Sequence, residues 1–191
     1  MPYIILLLPL LGSVIGYLVK PFGDRYSEIL TTALVVASAF FSIIVFYNGL
    51  TYDIYGNYKI IEWINSGDFN VNWSINIDPL SSVMLVVVTI VSSLVHIYSI
   101  GYMKNDPNKP RFMSYLSLFT FAMLTLVVSD NFLQLFFGWE GVGLCSYFLI
   151  GFWFKKKAAN AAAIKAFVVN RVGDFGLALG IFLIFYYFGT V

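Results

Sequence analysis

Six apolar runs, each near twenty residues, do most to limit the folds open to this chain. They occupy residues 2–19, 29–49, 79–100, 112–129, 131–154 and 160–187. An α-helix of about 20 residues crosses a ~30 Å hydrocarbon core, and a chain in lipid must satisfy its own backbone hydrogen bonds. Charged residues make up 11% of the 191, where a soluble domain carries roughly 25%. The expected fold is therefore all-α, a polytopic bundle of about six transmembrane helices. No Gly/Ser linker or charge block divides the runs, so residues 1–191 are read as one transmembrane domain. The first run has no basic n-region and no small-residue cleavage site, which marks a retained helix. Cys145 is the only cysteine, so there is no disulfide framework, and it reads as a small buried residue. A net charge of +1 gives no argument for nucleic acid.

The basic residues set an orientation. Loops after the first, third and fifth runs hold Lys20, Arg25, Lys104, Lys109, Arg111, Lys155, Lys156 and Lys157, whereas the opposite side holds only Lys59. By the positive-inside rule the lysine-rich side is inside and the chain's termini are outside. The segment 51–77 lies outside and is not span-like. Phe69 to Ile77 alternates apolar and polar, the period of a half-buried strand. Tyr58 to Ile64 is its expected partner across a turn at 65–68, giving an external β-hairpin over the helix ends. Asp78-Pro79 suits a helix start, and Asp130 or Asn131 should cap the fifth helix after a very tight turn.

The polar residues inside the runs carry the functional argument. Glu140 lies near the middle of the fifth run, roughly 14 Å from its start. A carboxylate at that depth costs a few kcal/mol or more unless neutralised, paired or wetted, and is read as a functional site. Burial disfavours its charged form and a nearby cation favours it; a carboxylate poised between the two can load and release a proton. The flanking Gly138, Gly141 and Gly143 permit close helix approach or water. The same run carries Gln134. The sixth run carries Lys165, Asn170, Arg171 and Asp174. Arg171 and Asp174 share a helix face at i,i+3 spacing, near the depth of Glu140, and read either as a fixed pair or as one that switches partners. Lys165 can snorkel to the inner surface. Gly176 and Gly180 form a small-xxx-small packing pair. His96, about one turn from the inner boundary, reads as a proton relay or as an interfacial side chain bonded to a carbonyl. No nucleotide loop, metal-ligand spacing, haem histidine pair or nucleophile–base arrangement occurs, which leaves proton transfer as the available chemistry.

At this point a family resemblance emerges. Asp78-Pro79-Leu80-Ser81, Leu94 to Ser99, Gly101-Tyr102-Met103 and Arg111-Phe112 resemble the antiporter-like membrane subunit of NADH–quinone oxidoreductase, respiratory complex I. So do Gly138 to Leu144 with Ser146-Tyr147, Lys165-Ala166-Phe167, and Asn170 to Phe175. The Gly138-Trp139-Glu140-Gly141 form is closest to the chain 5, or subunit L, type. The resemblance implies an all-helical membrane protein with inverted five-helix repeats that moves protons while quinone is reduced elsewhere in the complex. It implies enzyme membership without a redox centre of its own: NADH, FMN, iron–sulfur clusters and quinone are expected in other subunits. Glu140 matches the family's key acid, Arg171 and Asp174 match its sixth-helix pair, and Lys165 matches in position. The family's seventh-helix lysine partner, the second repeat and the lateral helix lie beyond Val191, so the chain reads as an N-terminal fragment. Implied partners are the bilayer, other membrane subunits and the remainder of the same subunit. The implied location is a bacterial inner membrane, with the mitochondrial inner membrane as alternative. Competing readings are a Mrp-type cation/proton antiporter subunit and a structural or assembly element without transport.

Overall fold

The computed structural model describes residues 2–67 and 69–191, with Phe22 described by its backbone alone. Helix α1 spans Pro2–Leu18 and is followed by a 3₁₀ turn at Lys20–Phe22. Helix α2 spans Asp24–Tyr52. Strands β1 (Gly56–Ser66) and β2 (Phe69–Ile77) come next, then α3 (Pro79–Tyr102), α4 (Lys109–Val127), α5 (Phe132–Ile150) and α6 (Lys157–Phe188). Helices α2 to α6 are long and apolar enough to cross a membrane; α1, at 17 residues, is at the short end of the spanning range. The bundle of six helices and the hairpin between the second and third are thus as the sequence predicts.

The helix ends differ from the hydropathy boundaries. Helix α2 starts at Asp24, five residues before its apolar run, because Glu28 turns inward and faces Lys109 at 3.9 Å. Helix α5 stops at Ile150, four residues before the end of its run, and Gly151 to Lys156 form turns. Helix α6 begins at Lys157 instead of residue 160. Hydropathy reads lysines as loop, whereas a helix tolerates them in its first turn.

The strands pair antiparallel, with Gly56 opposite Ile77 and Ser66 opposite Phe69, and with two bulges in β1. The predicted turn at 65–68 is tighter than expected, because β1 continues through Asn65 and Ser66, past the predicted end at Ile64; Gly67 follows with a φ of +60 that needs glycine's freedom, and Asp68 lies outside the described residues. Lys59 bonds Glu62 at 2.9 Å on the exposed strand, and that hydrogen bond, then the lysine charge, holds the Glu62 carboxyl below its usual range. Val71, Ile75 and Ile77 are buried. Ile75 and Ile77 join Ile5, Leu6, Val45, Leu85, Leu124 and Val128 in a core cluster beneath the hairpin.

The hairpin is fastened to the α4–α5 corner by hydrogen bonds. Gln134, fully buried, donates from Nε2 to the Ser74 carbonyl at 2.7 Å and accepts from the Ser74 N–H at 3.0 Å. Its amide thereby acts as one more rung of the sheet. Asn131 caps α5 by accepting from the Gln134 N–H at 2.8 Å, and its Nδ2 donates to the Asn72 carbonyl at 2.8 Å. Of the two predicted capping candidates, Asn131 is the one used. Asn76 N–H donates to the Val128 carbonyl at 2.9 Å. Asp78 and Ser81 form a reciprocal capping box at the start of α3, with proline in the first turn.

Helix α1 packs on α2 and α4, α2 on α3, and α4 on α5, while α6 packs chiefly on α5. Buried hydroxyls join these helices. Ser38 donates to the Ile5 carbonyl at 2.7 Å, Ser42 and Thr89 lie 2.7 Å apart, and Ser114 bonds the Ser13 carbonyl. Where lipid is as apolar as leucine, such bonds and close packing replace the hydrophobic drive between helices.

Candidate functional site: a carboxylate–arginine network between α5 and α6

Two glycines place Glu140. A Cβ on Gly138 would stand 2.7 Å from the Leu126 backbone nitrogen, and one on Gly141 would stand 3.1 Å from the Ala122 Cβ. Their absence lets α5 lie against α4 almost backbone to backbone. One face of α5 is thereby fixed, and Glu140 is turned toward α6. Gly143 faces α6 instead, at ordinary contact with Asn170.

Arg171 on α6 meets Glu140 with both terminal nitrogens. Nη1 donates to Oε1 at 2.6 Å and Nη2 pairs with Oε2. Its Nε also lies 3.5 Å from Oδ2 of Asp174, so a single guanidinium is shared by two carboxylates. The Asp174 Oδ1 accepts from the Trp139 indole N–H at 2.9 Å. The Arg171 guanidinium sits 4.4 Å from the Phe167 ring centroid, held from below by a cation–π contact. Side-chain exposure rises from 7% at Asp174 to 23% at Glu140 and 41% at Arg171. Asp174 is therefore the enclosed end of the network and Arg171 the open end.

The sequence reading placed Glu140, Arg171 and Asp174 at similar depth, and all three meet. It did not include Trp139 or Phe167. An indole N–H inside a membrane needs an acceptor, which is the signal Trp139 carried. Lys165 is exposed and belongs to none of the ion pairs among the described residues. A Cβ added at Gly176 or Gly180 would meet nothing within 4 Å, so the packing expected of them has no partner among the described residues. Cys145 is buried, as its surroundings suggested.

His96 lies elsewhere, six residues before the end of α3. It is fully buried between α3 and α4, opposite Ser117, which is eight residues into α4, or roughly 12 Å. Nδ1 lies 2.8 Å from the Ser92 carbonyl and Nε2 lies 3.1 Å from Ser117 Oγ. The carbonyl can only accept, which assigns the proton to Nδ1 and leaves Nε2 to accept from Ser117. Ser92 in turn bonds Thr120. The hydrogen bonds of His96 run into this hydroxyl file and not to the carboxylate network.

A helical membrane unit with a charged network between two of its helices is the class that fold and site define. Residues 63–113 match the family described as NADH-ubiquinone oxidoreductase (complex I), chain 5 N-terminus, and residues 129–191 match NADH:quinone oxidoreductase/Mrp antiporter, TM. The chain is 56% identical to NADH-ubiquinone oxidoreductase chain 5 of Chondrus crispus over 98% of its length, covering 28% of that protein. It is 54% identical to NADH-quinone oxidoreductase subunit L of Rickettsia felis, over 97% of this chain and 29% of that one. Against chain 5 of Triticum aestivum the identity is 55%, over 98% and 28%. Among solved structures, one of the membrane-bound sulfane sulfur reductase, an archaeal respiratory membrane complex, aligns with a TM-score of 0.79 at 18% identity. It covers 98% of this chain and 37% of that one, and it shows a shared fold. The chain thus belongs to the chain 5/subunit L family of antiporter-like complex I membrane subunits, and it is a multi-pass inner-membrane protein. It spans under a third of the length of the curated relatives named above.

Proposed function

We propose that this chain is the part of a proton-translocating subunit of NADH–quinone oxidoreductase in which Glu140 is the group that takes up and releases the proton. The observation that carries this reading is the sharing of Arg171 between Glu140 and Asp174. An arginine keeps its charge under all working conditions, so its position alone decides which carboxylate is neutralised. With Arg171 on Glu140, that carboxylate stays charged and holds no proton. When Arg171 leans toward Asp174, which Trp139 holds in place, Glu140 loses its counter-charge in a medium of low dielectric and takes a proton. Return of Arg171 expels it. His96 and its hydroxyl file form a proton route toward the inner surface, and Lys165, at the inner end of α6, faces the water there. The lysine-rich ends face inside and the hairpin outside. Redox chemistry, with NADH, FMN, iron–sulfur clusters and quinone, belongs to other subunits, and the partners are those membrane subunits and the remainder of the family's chain.

The test is Glu140→Gln in the full-length subunit within its complex. Glutamine keeps an acceptor for Arg171 but cannot carry the proton. Protons moved per electron pair are expected to fall while assembly and quinone reduction persist; unchanged pumping would overturn the assignment. The second matched family also covers Mrp antiporters, which supports a sodium-linked alternative. In that case transport would depend on sodium in the same assay.

A further inference from the structure

A second charged feature lies at the lysine-rich end of the bundle, away from the Glu140 network. Two cavities, of about 190 and about 320 Å³, share Arg111, Phe152 and Phe154 between the start of α4 and the turn joining α5 to α6. The larger is also lined by Asp106, Asn108, Trp153, Lys155 and Lys156. Among the described residues Arg111 makes one hydrogen bond, from Nη2 to the Phe152 carbonyl at 3.1 Å, and its enclosed Nε has no partner. Its guanidinium lies 4.7 Å from the Phe152 ring centroid and 5.3 Å from that of Phe154. No carboxylate forms an ion pair with Arg111, Lys155 or Lys156 among the described residues. Asp106 is at hand, but both its oxygens are engaged. Oδ2 accepts from the Trp153 indole at 2.9 Å and Oδ1 from the Asn108 N–H at 2.8 Å. Three cations thus face one carboxylate, whose hydrogen bonds to neutral donors leave its charge in place, and the cavity keeps a net positive charge.

We propose that this cavity binds the phosphate headgroup of an anionic phospholipid of the inner leaflet. Position favours a lipid over a soluble anion. The cavity lies where helices enter the lysine-rich end, and its aromatic wall is not covered by this chain: Trp153 is 37% and Phe154 56% exposed. Aromatic rings at that level sit among headgroups and upper acyl chains. The Lys156 ammonium lies 5.0 Å from the Trp153 ring centroid, which keeps a cation at the rim. A phosphodiester bridging Arg111 and the two lysines supplies the missing negative charge, and its acyl chains run along Phe154. This assignment depends on the membrane orientation and not on the transport role of Glu140.

The experiment uses the full-length subunit in its purified complex, stripped of loosely held lipid in detergent. Retention of added phosphatidylglycerol is measured by native mass spectrometry, for the wild type and for Lys155→Gln/Lys156→Gln. Both lysines are exposed, so assembly and quinone reduction should be preserved. The expected result is a retained phosphatidylglycerol whose affinity falls roughly 30-fold in the double variant, at about one surface-cation increment per lysine. Phosphatidylcholine should not replace it, and inorganic phosphate at the same concentration should not displace it. Equal retention in the double variant, or equal retention of phosphatidylcholine, overturns the proposal. Displacement by inorganic phosphate would assign the cavity to a soluble anion and overturn it as well. Arg111→Lys is a second variant. It keeps the charge but loses the planar fork, and it should weaken retention less than the double lysine change.

Discussion

Arg171→Leu in the full-length subunit is expected to lower the amount of assembled complex severely and to abolish pumping in what remains. The change leaves Glu140 and Asp174 together between α5 and α6 without the guanidinium that both contact. Removing one member of a buried ion pair costs about 3–5 kcal/mol, because the other is left as an uncompensated buried charge. The cost here falls at the lower end, since Arg171 is 41% exposed on its open side. It is nonetheless well above the ~1.4 kcal/mol that changes a population tenfold. The two carboxylates relieve it by binding protons permanently, which disables any exchange between them. Arg171→Lys should assemble better than the leucine variant yet pump poorly, because an ammonium cannot grip Glu140 with two nitrogens while touching Asp174. Native gel abundance and proton flux per electron pair separate these outcomes. A leucine variant that assembles and pumps normally would remove the network from the mechanism.

Gly138→Val is expected to be the most damaging change among the glycines around Glu140. Even the first added carbon would meet Leu126 at 2.7 Å from the backbone nitrogen and 2.8 Å from Cα, and backbone cannot swing aside as a side chain can. Overpacking typically costs about 1–3 kcal/mol, and valine adds two further methyl groups to the clash. Relief requires α5 to move off α4, which carries Glu140 away from Arg171 and strains the Gln134 bonds to the hairpin. Gly143→Ala is the control, because its Cβ would find only Asn170 Nδ2 at 3.8 Å. Thermal stability of the assembled complex should fall markedly for Gly138→Val and little for Gly143→Ala. Equal effects would mean that close α4–α5 approach does not set the position of Glu140.

The elements legible in the sequence are those with a strong local signal. Phe69 to Ile77 alternates without a break, and β2 has those bounds. Asp78-Pro79 announces a helix start, and Ser81 completes the cap. Arg171 and Asp174 are three residues apart, so their meeting follows from helical geometry. Contacts between elements were less legible. Gln134 carries no local signal of its role, because its partner is a backbone amide sixty residues earlier. Trp139 reaches Asp174 across a helix interface that no local pattern specifies. His96 bonds the Ser92 carbonyl, one of the two readings its position allows, but hydropathy carries no signal that α4 buries it. The rest of the Glu140 environment depends on what packs against α6, where only Ala163, Asp174 and Ile181 are buried by this chain.

On the proposed function, Glu140 alternates between an ion-paired carboxylate and a protonated acid. Infrared difference spectroscopy of the full-length complex, resting against turning over with NADH and quinone, tests it most directly. The expected result is a carbonyl stretch of a protonated carboxyl that appears on turnover, shifts in heavy water and is absent from Glu140→Gln. The same band persisting unchanged in Glu140→Gln, or no such band in the wild type, would contradict it.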